Sequence, residues 1–226
     1  MRYLKILFAS LLAALALAAC GPAASQTWPG LGTDGTLVYV AQGQQVHAVH
    51  VDTGLEAWKF PITPSNDTGQ FVAEPSVSPT IVVVGSEGAV KSYSGILYGL
   101  DPATGQQKWC LAFDTRGTAK QPTCKLAKGK DLPSLFGLQF PAVDNRILGG
   151  ITLSDSVAYV GLASGAVYAV NAETGADLWY FYATRDVWGA PLVAGNTVYV
   201  ASLDHNVYAS TAPRAACNGR KTWGRR

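Results

Sequence analysis

The chain has 226 residues, of which 48% are hydrophobic and 14% are charged, a balance that supports a buried core and excludes a largely disordered protein. Its formal net charge of +2 is too small to favour nucleic acid or an acidic partner. With 24 glycines and 12 prolines, the composition favours short strands joined by tight turns over long helices, so we expect an all-β fold.

Residues 1–19 are predicted to be an export signal. Arg2 and Lys5 precede an apolar run that is too short to serve comfortably as a permanent membrane-spanning helix. The run from Leu17 to Cys20 resembles the bacterial lipobox, in which the cysteine is lipidated and becomes the mature N-terminus. Residues 20–27 would then form a polar tether. An ordinary signal peptide with a coincidental cysteine is the alternative.

Four segments with alternating hydrophobic residues are predicted to be β-strands. They lie at residues 37–41, 81–85, 157–161 and 197–201. In the last unit, further strands are expected at 187–193 and 206–210, separated by turns. Each unit therefore predicts a four-stranded antiparallel meander.

A Thr-Gly pair followed four residues later by tryptophan recurs three times, each time three residues after His, Asp or Asn. Its members are His50, Thr53, Gly54 and Trp58, then Asp101, Thr104, Gly105 and Trp109, then Asn171, Thr174, Gly175 and Trp179. The Asp or Asn side chain can accept turn N–H bonds, and the glycine can take a positive φ where the hairpin reverses. Because a single small sheet has no core of its own, each tryptophan is expected to pack against a neighbouring unit.

This motif resembles the tryptophan-docking repeat of the pyrrolo-quinoline quinone (PQQ)-like β-propeller family, with His50 and Gly99 as departures from its usual residues. The resemblance implies a β-propeller over residues 28–210, with blades at about 28–62, 71–113, 147–183 and 187–210. Propellers of this family usually close with about seven or eight blades, which would need roughly twice this length of chain. The chain is therefore expected to be an incomplete propeller, either truncated, altered in frame at its end, or closed by pairing with a second copy.

Two segments depart from the repeat. Residues 114–146 form a predicted inserted loop, and Cys110 and Cys124 are candidates for a disulfide that staples it in an oxidising compartment. The loop is either functional or a solvated decoration. Residues 211–226 are predicted to be an irregular basic tail that lies outside the family sequence. The alternative is that Gly219 and Trp223 are a displaced remnant of the motif.

No catalytic, cofactor-binding or metal-binding residue is predicted. The quinone-dependent dehydrogenases that share these repeats carry a Cys-Cys pair, a calcium site and a catalytic Asp, and this sequence contains no Cys-Cys pair. His47 and His50 would point to opposite sides of one strand, and His205 falls in a predicted turn. A fragment of a PQQ-dependent oxidoreductase remains the alternative from a different class.

The interpretation that best fits these patterns is a non-catalytic propeller scaffold that binds protein partners in the cell envelope. The resemblance extends to the lipoprotein propeller of the outer-membrane assembly machinery, whose loops dock other proteins. Membrane contact is expected through the lipid anchor, either on the outer membrane facing the periplasm or on the cell surface. Self-association to close the propeller is a further expectation, and a surface sensor or carbohydrate-binding lipoprotein is a second alternative.

Overall fold

The computed structural model describes residues 30–66, 68–88, 94–113, 124–127 and 144–211, together with the backbone of Cys217–Thr222. The described residues form strands and turns, without a helix. The predicted signal, Cys20, the tether and most of the insertion lie outside the described residues. The strands are β1 Gly30–Thr33, β2 Leu37–Gln42, β3 Gln45–His50, β4 Glu56–Phe60, β5 Ser76–Val77, β6 Val82–Ser86, β7 Ile96–Leu100, β8 Gln107–Ala112, β9 Lys125–Leu126, β10 Thr152–Ser154, β11 Val157–Gly161, β12 Ala166–Asn171, β13 Asp177–Tyr182, β14 Leu192–Ala194, β15 Thr197–Ala201, β16 Asn206–Thr211 and β17 Cys217–Thr222.

These strands form four sheets, which we call blades 1 to 4. Blade 1 contains β1–β4, blade 2 β5–β9, blade 3 β10–β13 and blade 4 β14–β17. Within each blade, successive strands pair in an antiparallel order, except that β9 adds to blade 2 in parallel with β8. The predicted all-β class, with four blades that do not close into a ring, is confirmed.

The same irregularity recurs between the third and fourth strands of all four blades. The register shifts between Ala48 and Val49, between Gly99 and Leu100, between Ala169 and Val170, and between Ala209 and Ser210. A β-bulge bends the strand locally and increases its twist. Since the bulge occupies the same place in each sheet, the four blades are copies of one structural unit.

The core consists of three apolar clusters, each at the seam between two consecutive blades. Alternate residues of a strand point to opposite faces, so the middle strands of a blade that is flanked on both sides can be buried on both faces. β6 and β7 of blade 2 are buried along their whole length. β15 of blade 4 instead alternates buried and more exposed residues, since its sheet has a neighbour on one side within the described chain.

The first strands of the four blades lie side by side at one edge of the assembly. At this edge the backbones of blades 1 and 2 approach so closely that a Cβ on Gly30 would come within 2.5 Å of the Ala73 carbonyl oxygen. Glycine is needed there because the blade 2 backbone occupies the space of a side chain.

Three sequence-based boundaries need correction. The first strand of blade 4 is β14, which is shorter than the predicted 187–193. The predicted loop 114–146 contains strand β9, so blade 2 has five strands. Part of the predicted irregular tail is β17, which pairs with β16 and completes blade 4. β17 does not carry the tryptophan that marks the fourth strand of the other blades. Backbone pairing with β16 holds it in the sheet.

Candidate functional site

The seam between blades 1 and 2 is built around Trp58. Its indole N–H donates to the carbonyl oxygen of Pro102 at 2.8 Å. Its ring lies flat on the turn of the next blade, where a Cβ on Gly105 would come within 2.5 Å of the indole. Gly105 has a φ of +69°, so both the turn and the packing require glycine at this position.

The seam between blades 2 and 3 repeats this arrangement with Trp109. Its indole N–H donates to the carbonyl oxygen of Ala172 at 2.8 Å, and a Cβ on Gly175 would come within 2.6 Å of the ring. Gly99 also lies against this ring, where a Cβ would collide with the indole. The departure from alanine at position 99 therefore gives room to a closely packed tryptophan.

The turns that receive these rings are closed by Asp101 and Asn171. In each case one side-chain oxygen accepts two backbone N–H bonds and one threonine hydroxyl, from Thr104 or Thr174. In blade 1 the corresponding residue is His50, whose backbone carbonyl accepts from the N–H of Gly54. The turn geometry is thus kept by the backbone where the side-chain cap is replaced.

Electrostatics at the Asp101 turn favour the ionised carboxylate. The hydroxyl of Thr104 and the backbone N–H groups of Ala103 and Thr104, assisted by Lys108, hold the pKa of Asp101 below its ordinary value. The Lys108 ammonium lies 3.7 Å from the Asp101 carboxylate. Asp101 is accordingly a structural cap for the turn on which Trp58 rests.

The third seam differs from the first two. Trp179 is 7% exposed and contacts Tyr159 and Phe181, yet its indole N–H has no hydrogen-bond partner among the described residues. The strand register makes Thr211 the counterpart of Asn171. Counting onward, the sequence has Arg214 and Ala215 where the other turns have Thr-Gly. The sequence of blade 4 therefore departs from the Thr-Gly motif at the position that would receive Trp179.

Cys110 and Cys124 form a disulfide that joins β8 to the residue before β9. The Cys110 side chain is buried and belongs to the apolar cluster between blades 1 and 2, while Cys124 packs against that cluster. The bond fixes the described part of the insertion to the outer edge of blade 2. Cys217 lies in β17, and nothing further is described of its side chain.

An open cleft of about 730 Å³ lies along the edge where the first strands of blades 1, 2 and 3 meet. Its lining is mostly apolar, and Glu74 is the charged residue among the described residues that line it. Ser76 and Thr152 also line it, but both side chains bond backbone groups of other lining segments. The cleft thus offers an apolar surface with one carboxylate. No motif in the sequence marks these residues, because they are brought together by the packing of separate blades.

The histidines lie apart from this cleft. His47 points to one side of β3, where its Nδ1 lies 2.7 Å from Glu56, and His50 is exposed at the end of the strand. His205 lies in a turn with a φ of 65°. Across the described ranges, no three His, Cys, Asp or Glu side chains are grouped closely enough to hold a metal ion. The parts of the chain that the structure describes contain no helix long and apolar enough to span a membrane.

Four meandering sheets joined by tryptophan-filled seams define a β-propeller built from PQQ-type repeats. The sequence matches the family described as outer membrane protein assembly factor BamB over residues 21–128 and 95–226, and the chain belongs to this family. The second match includes β17, so the end of the chain is family sequence. The expectation of a tail outside the repeats is wrong for this strand.

Among curated proteins, the serine/threonine-protein kinase AfsK from Streptomyces griseus is 33% identical over 101 residues. That stretch is 45% of this chain and 12% of the kinase, so the likeness concerns one segment of a much longer protein.

Two solved structures share the fold. BamB from Moraxella catarrhalis has 19% identity and a TM-score of 0.53, with 81% of this chain and 45% of that chain covered. Quinohemoprotein alcohol dehydrogenase ADHIIG from Pseudomonas putida HK5 has 17% identity and a TM-score of 0.62, with 85% of this chain and 34% of that chain covered. The chain therefore spans less than half the length of each, and at these identities the likeness shows the fold alone.

Proposed function

We propose that this chain is a lipid-anchored scaffold whose blades bind protein partners in the cell envelope. The observation that carries the proposal is the match of residues 21–128 and 95–226 to the family of an outer membrane protein assembly factor. The architecture suits this role because seams closed by buried indoles make a rigid platform, and rigid surfaces lose little conformational entropy on binding.

The cleft at the inner edge is the proposed contact surface for a partner. Its apolar residues, among them Leu31 and Val51, are exposed to solvent, and Glu74 supplies a carboxylate beside them. A concave, mostly apolar surface with few polar groups is typical of binding sites. A polypeptide segment with apolar side chains and one basic residue would match it.

A photo-crosslinking amino acid at Leu31 tests this surface in intact cells. We expect adducts with an envelope protein at Leu31 and none with the same label at Leu178, an exposed residue on the outer strand of blade 3. Mass spectrometry identifies the captured protein. Equal capture at the two positions would show that the cleft has no special role.

The lipid anchor is tested by Cys20→Ser. Radioactive palmitate should label the native chain and should not label this variant, which should also leave the membrane fraction. Cys217→Ser is the matched control, because it removes a different cysteine and should keep both the label and the location. Retention of the label by Cys20→Ser would refute the proposed anchor.

A quinone-dependent oxidoreductase is the second candidate, favoured by the shared fold with the alcohol dehydrogenase from Pseudomonas putida HK5. The described residues do not supply a cluster of metal-binding side chains, so we assign no catalytic step. Addition of PQQ, calcium ions and a primary alcohol should give no dye reduction above that of a heat-denatured sample. Sustained turnover would replace the scaffold proposal with the enzymatic one.

A further inference from the structure

Each blade has two faces with different roles. We call the face that contacts the following blade in blades 1 to 3, and that carries their tryptophans, the docking face. We call the opposite face, which carries the Thr-Gly turn in blades 1 to 3, the receiving face. Each of the three seams in the chain joins a docking face to a receiving face. In the described chain this leaves the receiving face of blade 1 and the docking face of blade 4 without a neighbour.

The receiving face of blade 1 has an unoccupied position for an indole at Gly54, which we call the empty seat. A Cβ on Gly54 would meet no atom of the described residues within 4 Å, whereas at Gly105 and Gly175 it would strike a tryptophan ring. Gly54 nevertheless has a φ of +70°, which matches its two counterparts. The turn is therefore formed as in blades 2 and 3, and what differs is the missing ring. Val51, which corresponds to Pro102 and Ala172, is exposed.

The docking face of blade 4 is an uncovered copy of faces that are buried elsewhere. Tyr199 corresponds by register to Tyr39 and Tyr159, since each pairs with an alanine at the same place in the sheet. Tyr39 and Tyr159 are 0% and 2% exposed, whereas Tyr199 is 39% exposed. Ala209, the alanine opposite Tyr199, is likewise more exposed than Ala48 and Ala169.

We propose that two copies of this chain form a closed pair, in which the docking face of blade 4 of each copy packs on the receiving face of blade 1 of the other. The occupant is a second copy because the two open faces correspond, by strand register, to the two sides of the seams within the chain, except that Gly219 replaces the docking tryptophan. The chain covers 45% of a solved propeller of the same fold, so two copies supply about one full ring. The pair would also cover the face of blade 1 that carries Leu31 and Val51, so the second copy and an envelope partner bound at the cleft exclude each other.

The seam between copies is weaker than the seams within a copy. In β17, Gly219 pairs with Ala209, just as Trp58 pairs with Ala48 and Trp179 with Ala169. Gly219 thus stands where the other blades carry the docking indole. The seat at Gly54 stays empty in the pair, so association is reversible and depends on protein concentration.

Sedimentation equilibrium of the purified chain in density-matched detergent tests the pair. We expect the mass of one chain at low concentration and of two chains at high concentration. A single-chain mass throughout, or growth into long polymers, would overturn the closed pair.

The contact surface is tested with Tyr199→Glu, which places a charge on the docking face of blade 4. We expect the association constant to fall at least tenfold. Leu178→Glu is the matched control, because it places the same charge at a residue 47% exposed that lies on neither open face, and it should associate like the native chain. Equal effects of the two substitutions would refute the proposed surface. Far-UV circular dichroism confirms that both variants are folded.

The empty seat is tested by gain of affinity. Gly219→Trp restores the missing indole and should tighten association at least tenfold. Adding Gly54→Ala should abolish this gain, because the new Cβ occupies the space of the ring. Adding Gly43→Ala should leave it intact, since Gly43 has a similar positive φ of +59° and open space around it but lies in a different turn of the same blade. No gain with Gly219→Trp would overturn the proposal even if the Tyr199 variant failed to fold.

Discussion

The indole nitrogen of each docking tryptophan distinguishes one seam from another. Trp109 and Trp179 are both 7% exposed, so they bury similar apolar surface. Trp109 donates to the carbonyl of Ala172, whereas Trp179 has no acceptor among the described residues. The Thr-Gly turn that supports the hydrogen bond of Trp109 is replaced by Arg214 and Ala215 in the sequence of blade 4, and a formed hydrogen bond contributes to stability. The seam between blades 3 and 4 should therefore be the weakest within the chain.

Replacing each of these tryptophans by phenylalanine measures that difference. Both substitutions remove ring volume, but Trp109→Phe also leaves the Ala172 carbonyl without its donor. We expect Trp109→Phe to lower the free energy of unfolding by about 1 kcal/mol more than Trp179→Phe does. Urea unfolding followed by circular dichroism provides the measurement. Equal losses would mean that the Trp109 hydrogen bond contributes nothing to stability.

The Asp101 cap makes a pH-dependent contribution to stability. Its hydrogen bonds hold the pKa of the folded carboxyl below the ordinary value of 3.8. The ionised cap therefore stabilises the fold above pH 3.8, and this contribution is lost as the pH falls through the lower pKa of the folded state.

Two substitutions isolate this effect. Asp101→Ala removes the acceptor at every pH, so the native chain should exceed it in stability at pH 6. Below pH 3.8 that advantage should shrink, because the protonated carboxyl is a weaker acceptor than the carboxylate. Asp101→Asn keeps a neutral acceptor, like Asn171 in blade 3. The Asp101→Asn variant should therefore be more stable than the Asp101→Ala variant, by an amount that does not vary with pH. Thermal unfolding from pH 6 to pH 3 measures both differences. A pH-dependent advantage for the asparagine variant would show that another group titrates.

The outer edge of blade 2 depends on a covalent link. Strand β9 pairs through two residues with β8, and so short a pairing has little stability of its own. The disulfide between Cys110 and Cys124 closes a loop with a sequence separation of 14 and thereby restricts the unfolded chain. The strand is held in place largely by this bond.

Removal of both cysteines tests the link. The double variant Cys110→Ser/Cys124→Ser should lose about 3 kcal/mol of unfolding free energy, as expected for a loop of this length. Reduction of the native chain with dithiothreitol should give the same unfolding midpoint as the double variant. The control is the double variant, whose unfolding midpoint should be the same with and without reductant. An unchanged midpoint on reduction of the native chain would show that the link does not stabilise the fold.

The sequence predicted those strands that carry their own local signal. Alternating residues located β2, β11 and β15, and the Thr-Gly turns located the boundaries of β4, β8 and β13. Strand β17 was missed because Gly219 stands in the tryptophan position, and its pairing depends on backbone hydrogen bonds to β16 that no side chain announces. Strand β9 was missed for the same reason, since two residues show no periodicity.

The seams and the cleft were unequally predictable. A tryptophan that recurs in each repeat could be assigned to a seam from the sequence, because a single sheet cannot bury it. The residues of the cleft come from separate blades, such as Leu31, Glu74 and Ile151, and meet through the curvature of the whole assembly. Three-dimensional curvature leaves no periodic mark in the sequence, so these residues could not be singled out.

The four blades differ in how many of their faces are covered, and this should be visible as unequal dynamics. Blades 2 and 3 have a neighbour on both sides, and blades 1 and 4 on one side within the described chain. Opening of a strand costs more when both of its faces are packed, because more apolar surface must be exposed to water. In single chains, amide exchange should therefore be slowest in β6, β7, β11 and β12 and faster in β2, β3, β15 and β16.

Hydrogen exchange followed by mass spectrometry at two protein concentrations measures this order. At the lower concentration, peptides from blades 1 and 4 should exchange at least tenfold faster than those from blades 2 and 3. At a concentration where two chains associate, exchange should slow in blades 1 and 4 and stay unchanged in the middle blades, because the pair covers the outer faces alone. Uniform exchange across the four blades at low concentration would mean that each sheet draws its stability from within itself, and the packing of face on face would then not be what holds the chain together.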